Sequence, residues 1–247
     1  MTLSLGKNQV RPGFLNMRIL LVGYGKMGQL VGQLAGQYDC EVTGIVDPVS
    51  AAHSANINDL QSDDVDVAID FTAPEAVLTN VPALARRGIN VVLGTTGWQA
   101  HEAELRKAVA EAELGIVAAP NFSTGVVLFE AMVAHAARLM AGQQEYGAWL
   151  HEAHHAMKKD APSGTALKLK RAIEEAGYDR PIDVAASRAG YIPGTHTIGF
   201  DGPSESITLT HAARDRGAFA RGALTAARWV QGRRGWFTMQ DVLGLRA

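Results

Sequence analysis

The sequence predicts an α/β protein in two parts: a parallel sheet wrapped by helices, then a smaller α+β domain with a mixed sheet. Three observations carry this. In the first half, short continuous apolar runs alternate with helical stretches, the pattern of strands buried on both faces. Each run ends in small, polar or acidic residues, at the edge where open parallel sheets bind ligands. After Asn121, strand-like stretches cluster instead of alternating with helices.

Taken in order, Arg18 to Val22 reads as a strand that runs into Gly23-Tyr24-Gly25-Lys26-Met27-Gly28. A helix follows, with Met27, Leu30, Val31 and Leu34 on one face. Val42 to Val46 and Val65 to Ile69 are the next strands, ending at Asp47 and Asp70-Phe71-Thr72. Pro74 suits the first turn of a helix reaching about Arg87. Ile89 to Leu93 is a strand ending at Gly94-Thr95-Thr96-Gly97. A charged helix, 100–113, leads to a strand over Gly115 to Ala119. In the second part, helices are predicted over 125–141 and 164–176, and strands over 148–155, 183–187, 195–200 and 205–211. Phe219 to Val230 is again apolar and helical. The expected organisation is a dinucleotide-binding domain over 17–121 and 219–247. Residues 122–218 form a substrate-binding and oligomerisation domain, and 1–16 a disordered extension, with Met17 as an alternative start.

The chain has 247 residues, enough for a sizeable core without staples. Apolar residues make up 47% and charged residues 19%, which excludes disordered and low-complexity classes. A net charge of −2 offers no basic surface for nucleic acid or a membrane. No apolar run reaches the roughly 18 residues that would suggest a membrane span. The first 16 residues lack the apolar core of a signal peptide. The single cysteine, Cys40, excludes an intramolecular disulfide and reads as a small buried apolar side chain. These features point to a reducing, cytoplasmic setting.

The chemistry begins at Gly23-Tyr24-Gly25-Lys26-Met27-Gly28. Glycines between a strand and a helix allow a tight turn and let backbone N–H groups approach a pyrophosphate. Asp47, closing the next strand, is placed to accept hydrogen bonds from a ribose. Together they predict a Rossmann-like nicotinamide site. Asp47 is followed by Pro48 and not by a basic residue, which favours NADH over NADPH. Lys26 keeps the phosphorylated form open. Gly94-Thr95-Thr96 and Ala119-Pro120-Asn121-Phe122 end strands on the same edge and would line the nicotinamide side.

The densest cluster is His151-Glu152-Ala153-His154-His155-Ala156-Met157-Lys158-Lys159-Asp160-Ala161-Pro162-Ser163-Gly164-Thr165. It spells H-E-x-x-H, a zinc signature when helical. Here it reads as a strand, which sets His151 and His155 about 13 Å apart. They cannot share a metal ion, so no metal is expected. The alternative is an anion site: Ser163 caps a helix whose first N–H groups, at Gly164 and Thr165, face an anion while Lys158 and two imidazoles converge. That suits a carboxylate substrate and supplies a proton donor.

The stretch Glu152-Ala-His-His-Ala-Met-Lys158-Lys-Asp-Ala-Pro-Ser-Gly-Thr165-Ala166 resembles the E-x-H-H-x-x-K-x-D-A-P-S-G-T-A signature of the 4-hydroxy-tetrahydrodipicolinate reductase (dihydrodipicolinate reductase) family of lysine and diaminopimelate biosynthesis. The likeness extends from Met17 essentially to the C-terminus. It includes Asp70-Phe-Thr72, Ser187-Arg188-x-Gly190…Pro193-Gly194-x-His196, and His211-x-Ala213-x-x-Arg216. The resemblance implies NADH- or NADPH-dependent reduction of a small cyclic dicarboxylate. It implies His154 as acid/base, Lys158 as proton donor and carboxylate partner, and His155, Gly164 and Thr165 as substrate-binding residues. It places the cofactor at Gly23 to Met27, Asp47, Gly94 to Thr96 and Ala119 to Phe122. It also implies a homotetramer, with no metal, nucleic acid or membrane partner. Three departures stand out: a glycine loop one residue shorter, Met157 where some members carry His, and a short link over 177–187. A related oxidoreductase and a nucleotide-sensing protein are the rival readings; an intact acid/base loop argues against both.

Overall fold

A computed structural model of the chain describes residues 16–49, 53–60 and 64–245. The expected extension therefore lies outside the described residues, except for Asn16. The first sheet is all parallel and six-stranded. Its strands are β1 (Met17–Val22), β2 (Cys40–Val46), β3 (Val67–Asp70), β4 (Asn90–Leu93), β5 (Gly115–Ala118) and β10 (Gly235–Phe237). Their order is β10-β5-β4-β3-β1-β2. The chain goes from β1 to one side, then crosses to the other at β3. This reversal opens a crevice at the C-terminal end of β1, where α/β sheets hold ligands.

The strands are continuously apolar because both faces are covered. On one face, Ile19, Leu21, Ile69, Val92 and Val117 meet helix α1 (Lys26–Leu34) and helix α6 (Gly217–Val230). Short helix α7 (Met239–Val242) joins them through Met239. On the other, Leu20, Val22, Ala68, Val91 and Ile116 meet α2 (Pro74–Arg86) and α3 (Glu102–Glu111). Pro74 opens α2, with Glu75 in its first turn and Arg86 in its last, both favourable to the helix dipole. Cys40 is buried in the first of these clusters, and burial pushes its thiol up to about 11, so it is an inert core group.

The second sheet is mixed and four-stranded, in the order β7-β6-β8-β9. It comprises β6 (Gly147–His154), β7 (Ile182–Arg188), β8 (Thr195–Asp201) and β9 (Ser206–Ala212). β7 runs parallel to β6, and β8 antiparallel to both β6 and β9. Helices α4 (Thr124–Met140) and α5 (Gly164–Glu175) share one core with Ala148, Leu150, Ile198 and Phe200. The opposite face presents Trp149, His151, Ala185, Thr197 and Thr210. The chain leaves the first sheet at Phe122 and returns to it through α6. These crossings touch: a Cβ on Gly222 would stand 1.7 Å from the Phe122 carbonyl oxygen.

The predicted strands and helices are present with small shifts at their ends. Besides short 3-10 turns at 35–38, 57–59 and 99–101, two elements are additional among the described residues. β10 adds to β5 at the sheet edge, and α7 follows it. Among the described residues, no helix is long and apolar enough to cross a membrane.

Candidate active site

The glycine loop closes the end of β1. Gly23 has φ +85°, and a Cβ there would lie 2.6 Å from the Phe71 carbonyl oxygen. A Cβ on Gly28 would stand 2.1 Å from the Gly23 carbonyl oxygen, so glycine is what lets α1 pack against the turn. Gly25 is the N-cap of α1; no side chain caps this end, and the space beside its Cα is open. Uncapped N–H groups facing open space are the arrangement a pyrophosphate requires, so the loop fits a dinucleotide. Asp47 braces it: Oδ2 accepts from the Tyr24 N–H at 2.7 Å and Oδ1 from the Val49 N–H at 2.8 Å. The Tyr24 ring meets His53 edge-on, with centroids 5.0 Å apart. Lys26 is exposed and Met27 half-buried at the start of α1.

The other strand ends are wired together by Asp70. This buried carboxylate accepts from Thr72 N–H (3.0 Å), Thr72 Oγ1 (2.6 Å), Thr95 Oγ1 (3.0 Å) and Asn80 Nδ2 (3.0 Å). Burial pushes its proton affinity up, and these donors pull the other way. Phe71 lies over Gly94, where a Cβ would come within 2.1 Å of its ring. The expected cofactor-side residues therefore divide. Thr96, Pro120 and Asn121 line a cleft of about 1020 Å³. Thr95, Ala119 and Phe122 are buried and support the loops from behind.

The far wall of the cleft carries the histidine–lysine cluster, and His154, His155, Lys158, Gly164 and Thr165 all line it. Ser163 caps α5, its Oγ accepting from Ala166 N–H at 3.2 Å. Lys158 Nζ donates to both carboxylate oxygens of Asp160, at 2.8 and 3.0 Å. That contact holds the Asp160 carboxyl below the usual carboxylate range, aided by the Gly164 N–H. Lys158 and the start of α5 are thus engaged by the chain's own Asp160 carboxylate, which a substrate carboxylate would have to displace. His151 leaves β6 on the opposite face and bonds Ser187 at 2.9 Å. The two ends of the H-E-x-x-H string thus do not form a site.

Sequence reasoning missed the groups behind His154. Glu152 is fully buried and contacts His154 Nδ1 through a carboxylate oxygen. It also accepts from the Ser163 N–H at 3.1 Å and from Arg188 at 2.6 Å. His196 sits beside His154, with centroids 5.2 Å apart, and its Nε2 lies 3.2 Å from Ser163 Oγ. Burial pushes His196 down to about 4 and also lowers His154, whose fall Glu152 opposes. Burial alone would raise Glu152, but Arg188, the Ser163 N–H and His154 outweigh it and keep it ionised. Glu152, His154 and His196 bring three ligating side chains together. Glu152 is already paired with Arg188 and anchored by the Ser163 N–H, so the cluster reads as a proton-handling network. One signal was available: period-two alternation puts Glu152 and His154 on the same face of β6 as Ala148 and Leu150.

The family model described as "Dihydrodipicolinate reductase, N-terminus" matches residues 17–122, and "Dihydrodipicolinate reductase, C-terminus" matches 125–243. The chain belongs to the dihydrodipicolinate reductase family. It is 36% identical to a 4-hydroxy-tetrahydrodipicolinate reductase of Christiangramia forsetii, over 92% of this chain and 98% of that one. It is 40% identical to the protein of that name from Laribacter hongkongensis, over 88% of this chain and 85% of that one. Its fold is similar to that of a dihydrodipicolinate reductase from Paenisporosarcina sp. TG-14, solved with dipicolinate bound. The TM-score is 0.75 at 23% identity, covering 91% of this chain and 98% of that one.

Proposed function

We propose that this chain converts 4-hydroxy-tetrahydrodipicolinate to tetrahydrodipicolinate in lysine and diaminopimelate biosynthesis: the 4-hydroxyl leaves as water, and NADH or NADPH reduces the ring by one hydride matched by one proton. The observation that carries this reading is one cleft bounded by Thr96, Pro120 and Asn121 on one side and by His154, Lys158, Gly164 and Thr165 on the other. A dinucleotide held at Gly23 to Met27, Asp47, Gly94 to Thr96 and Ala119 to Phe122 supplies the hydride. His154 donates the matching proton from its cleft-facing nitrogen. Lys158 pairs with a substrate carboxylate and serves as the second donor. The first N–H groups of α5, at Gly164 and Thr165, hold that carboxylate, and His155 steadies the ring. Closure of the cleft over both partners would exclude water around the transferring groups.

Residues 17–121 with 219–247 serve as the dinucleotide-binding domain, and 122–218 as the substrate and assembly domain. The uncovered sheet face around Trp149 and Thr197 suits contact with other copies, giving a homotetramer that works in the cytoplasm. Asp47 makes NADH the better cofactor, because a 2′-phosphate would meet its carboxylate. Following cofactor oxidation at 340 nm, with substrate made in place from pyruvate and aspartate semialdehyde, tests the reaction. Rapid turnover is expected, faster with NADH. A folded, NADH-binding protein that turns over neither cofactor would overturn the reading. Asp47→Ala should raise the KM for NADH more than that for NADPH; an unchanged ratio contradicts the ribose role.

A further inference from the structure

The cleft-facing residues above say which atom meets substrate. They do not say what makes His154 competent. The buried carboxylate behind it does. Glu152 contacts Nδ1 of His154, while a Cβ placed on Gly194 would lie 3.0 Å from Nε2 of the same ring. The ring thus has an inner nitrogen facing a carboxylate and an outer nitrogen left clear by a glycine. Glu152 is itself anchored at two more points, by the Ser163 N–H at the α5 cap and by the Arg188 guanidinium. Arg188 also donates to the Asp160 carbonyl at 2.6 Å, on the loop that carries Lys158. One buried carboxylate therefore ties together the proton donor, the anion-binding helix start and the lysine loop.

We propose that Glu152 is the positioning residue of the proton transfer: it holds the His154 ring with Nδ1–H inward and Nε2 toward the cleft, and its charge strengthens the ring's hold on the donated proton. The inference rests on the reading of His154 as donor. The step balances simply. The Nε2–H bond of the imidazolium breaks, its proton passes to the substrate, and the bonding pair stays on Nε2. What remains is a neutral imidazole with its proton on Nδ1, the tautomer a carboxylate at that nitrogen favours. Arg188 works against Glu152, because its own charge opposes a second cation on the ring. Burial loosens the proton on His154 most, Glu152 opposes that, and the Lys158 and Arg188 charges add to the loosening, while the buried, neutral His196 ring stands 5.2 Å away.

The two partners predict opposite shifts, which damage to the fold would not produce. In Glu152→Gln the basic limb of the kcat–pH profile should move down by roughly one pH unit. Its kcat at pH 8 should fall by up to about 10-fold, with KM within about threefold of wild type. In Arg188→Gln the same limb should move up. Nitrogen-15 NMR of wild-type enzyme without ligands should show neutral His154 as the Nδ1–H tautomer, a reading that survives if either variant fails to fold. An Nε2–H ring in the wild type overturns the inference, as does a basic limb that stays put in both variants. His154→Ala with wild-type turnover would instead sink the donor role itself.

Discussion

His154 and Lys158 reach one cleft from different directions, one from the end of β6 and one from the loop beyond it. If both transfer protons, His154→Ala and Lys158→Ala should each lower kcat by roughly 10²- to 10⁴-fold under saturating conditions. Near-normal turnover removes the role from the residue concerned. His196 makes a separate prediction, about stability. In the fold it stays neutral until about pH 4, against an ordinary value of 6.5. The unfolded chain takes up the proton first, so acidification from 6.5 toward 4 favours unfolding. At 1.36 kcal/mol per unit the loss is up to roughly 3 kcal/mol, complete near pH 4 and absent above neutrality. His154 and His211, also lowered by burial, add in the same direction, while Asp70, pushed up by burial, opposes it. Chemical denaturation across this range should show His196→Gln with a flatter profile than wild type. Equal slopes refute the assignment.

At the scale of elements, α5 is tied through its cap to the buried histidine cluster. Its Ser163 cap also touches His196 and donates its own N–H to Glu152. Ser163→Ala should cost about 1 kcal/mol of stability through the cap and raise the KM for the dicarboxylate. A lowered melting temperature with unchanged KM would separate the two roles. Most elements were legible because their signals are local: an apolar run, a proline at a helix start, a serine before Gly164. α2 runs through Pro82, against the usual rule, because Val77, Val81, Ala83 and Leu84 are buried on the sheet and outweigh one lost hydrogen bond. β10 escaped because its three residues are too few to show a period. It is a strand because Gly235 to Phe237 can pair with Gly115 to Val117. The site was half legible for the same reason. His154, Lys158 and the α5 start are neighbours in sequence. Arg188 and His196 arrive on β7 and β8, and only strand pairing brings them to Glu152.

For the whole molecule, the strand order makes the crevice before any side chain is considered, and the glycine loop fills the place where that order reverses. The mixed sheet is an excursion from this frame, leaving at Phe122 and returning through α6. Gly222 is what lets these passages lie together. Gly222→Ala would drive a methyl group into the Phe122 carbonyl and should destabilise the protein by roughly 1–3 kcal/mol or more, as overpacking does. A melting temperature equal to wild type would show that the seam yields. The two passages meet at a point with no room for a methyl group, so the mixed sheet is seated on the parallel one by backbone against backbone, and a change at that seam is felt on both sides of the cleft.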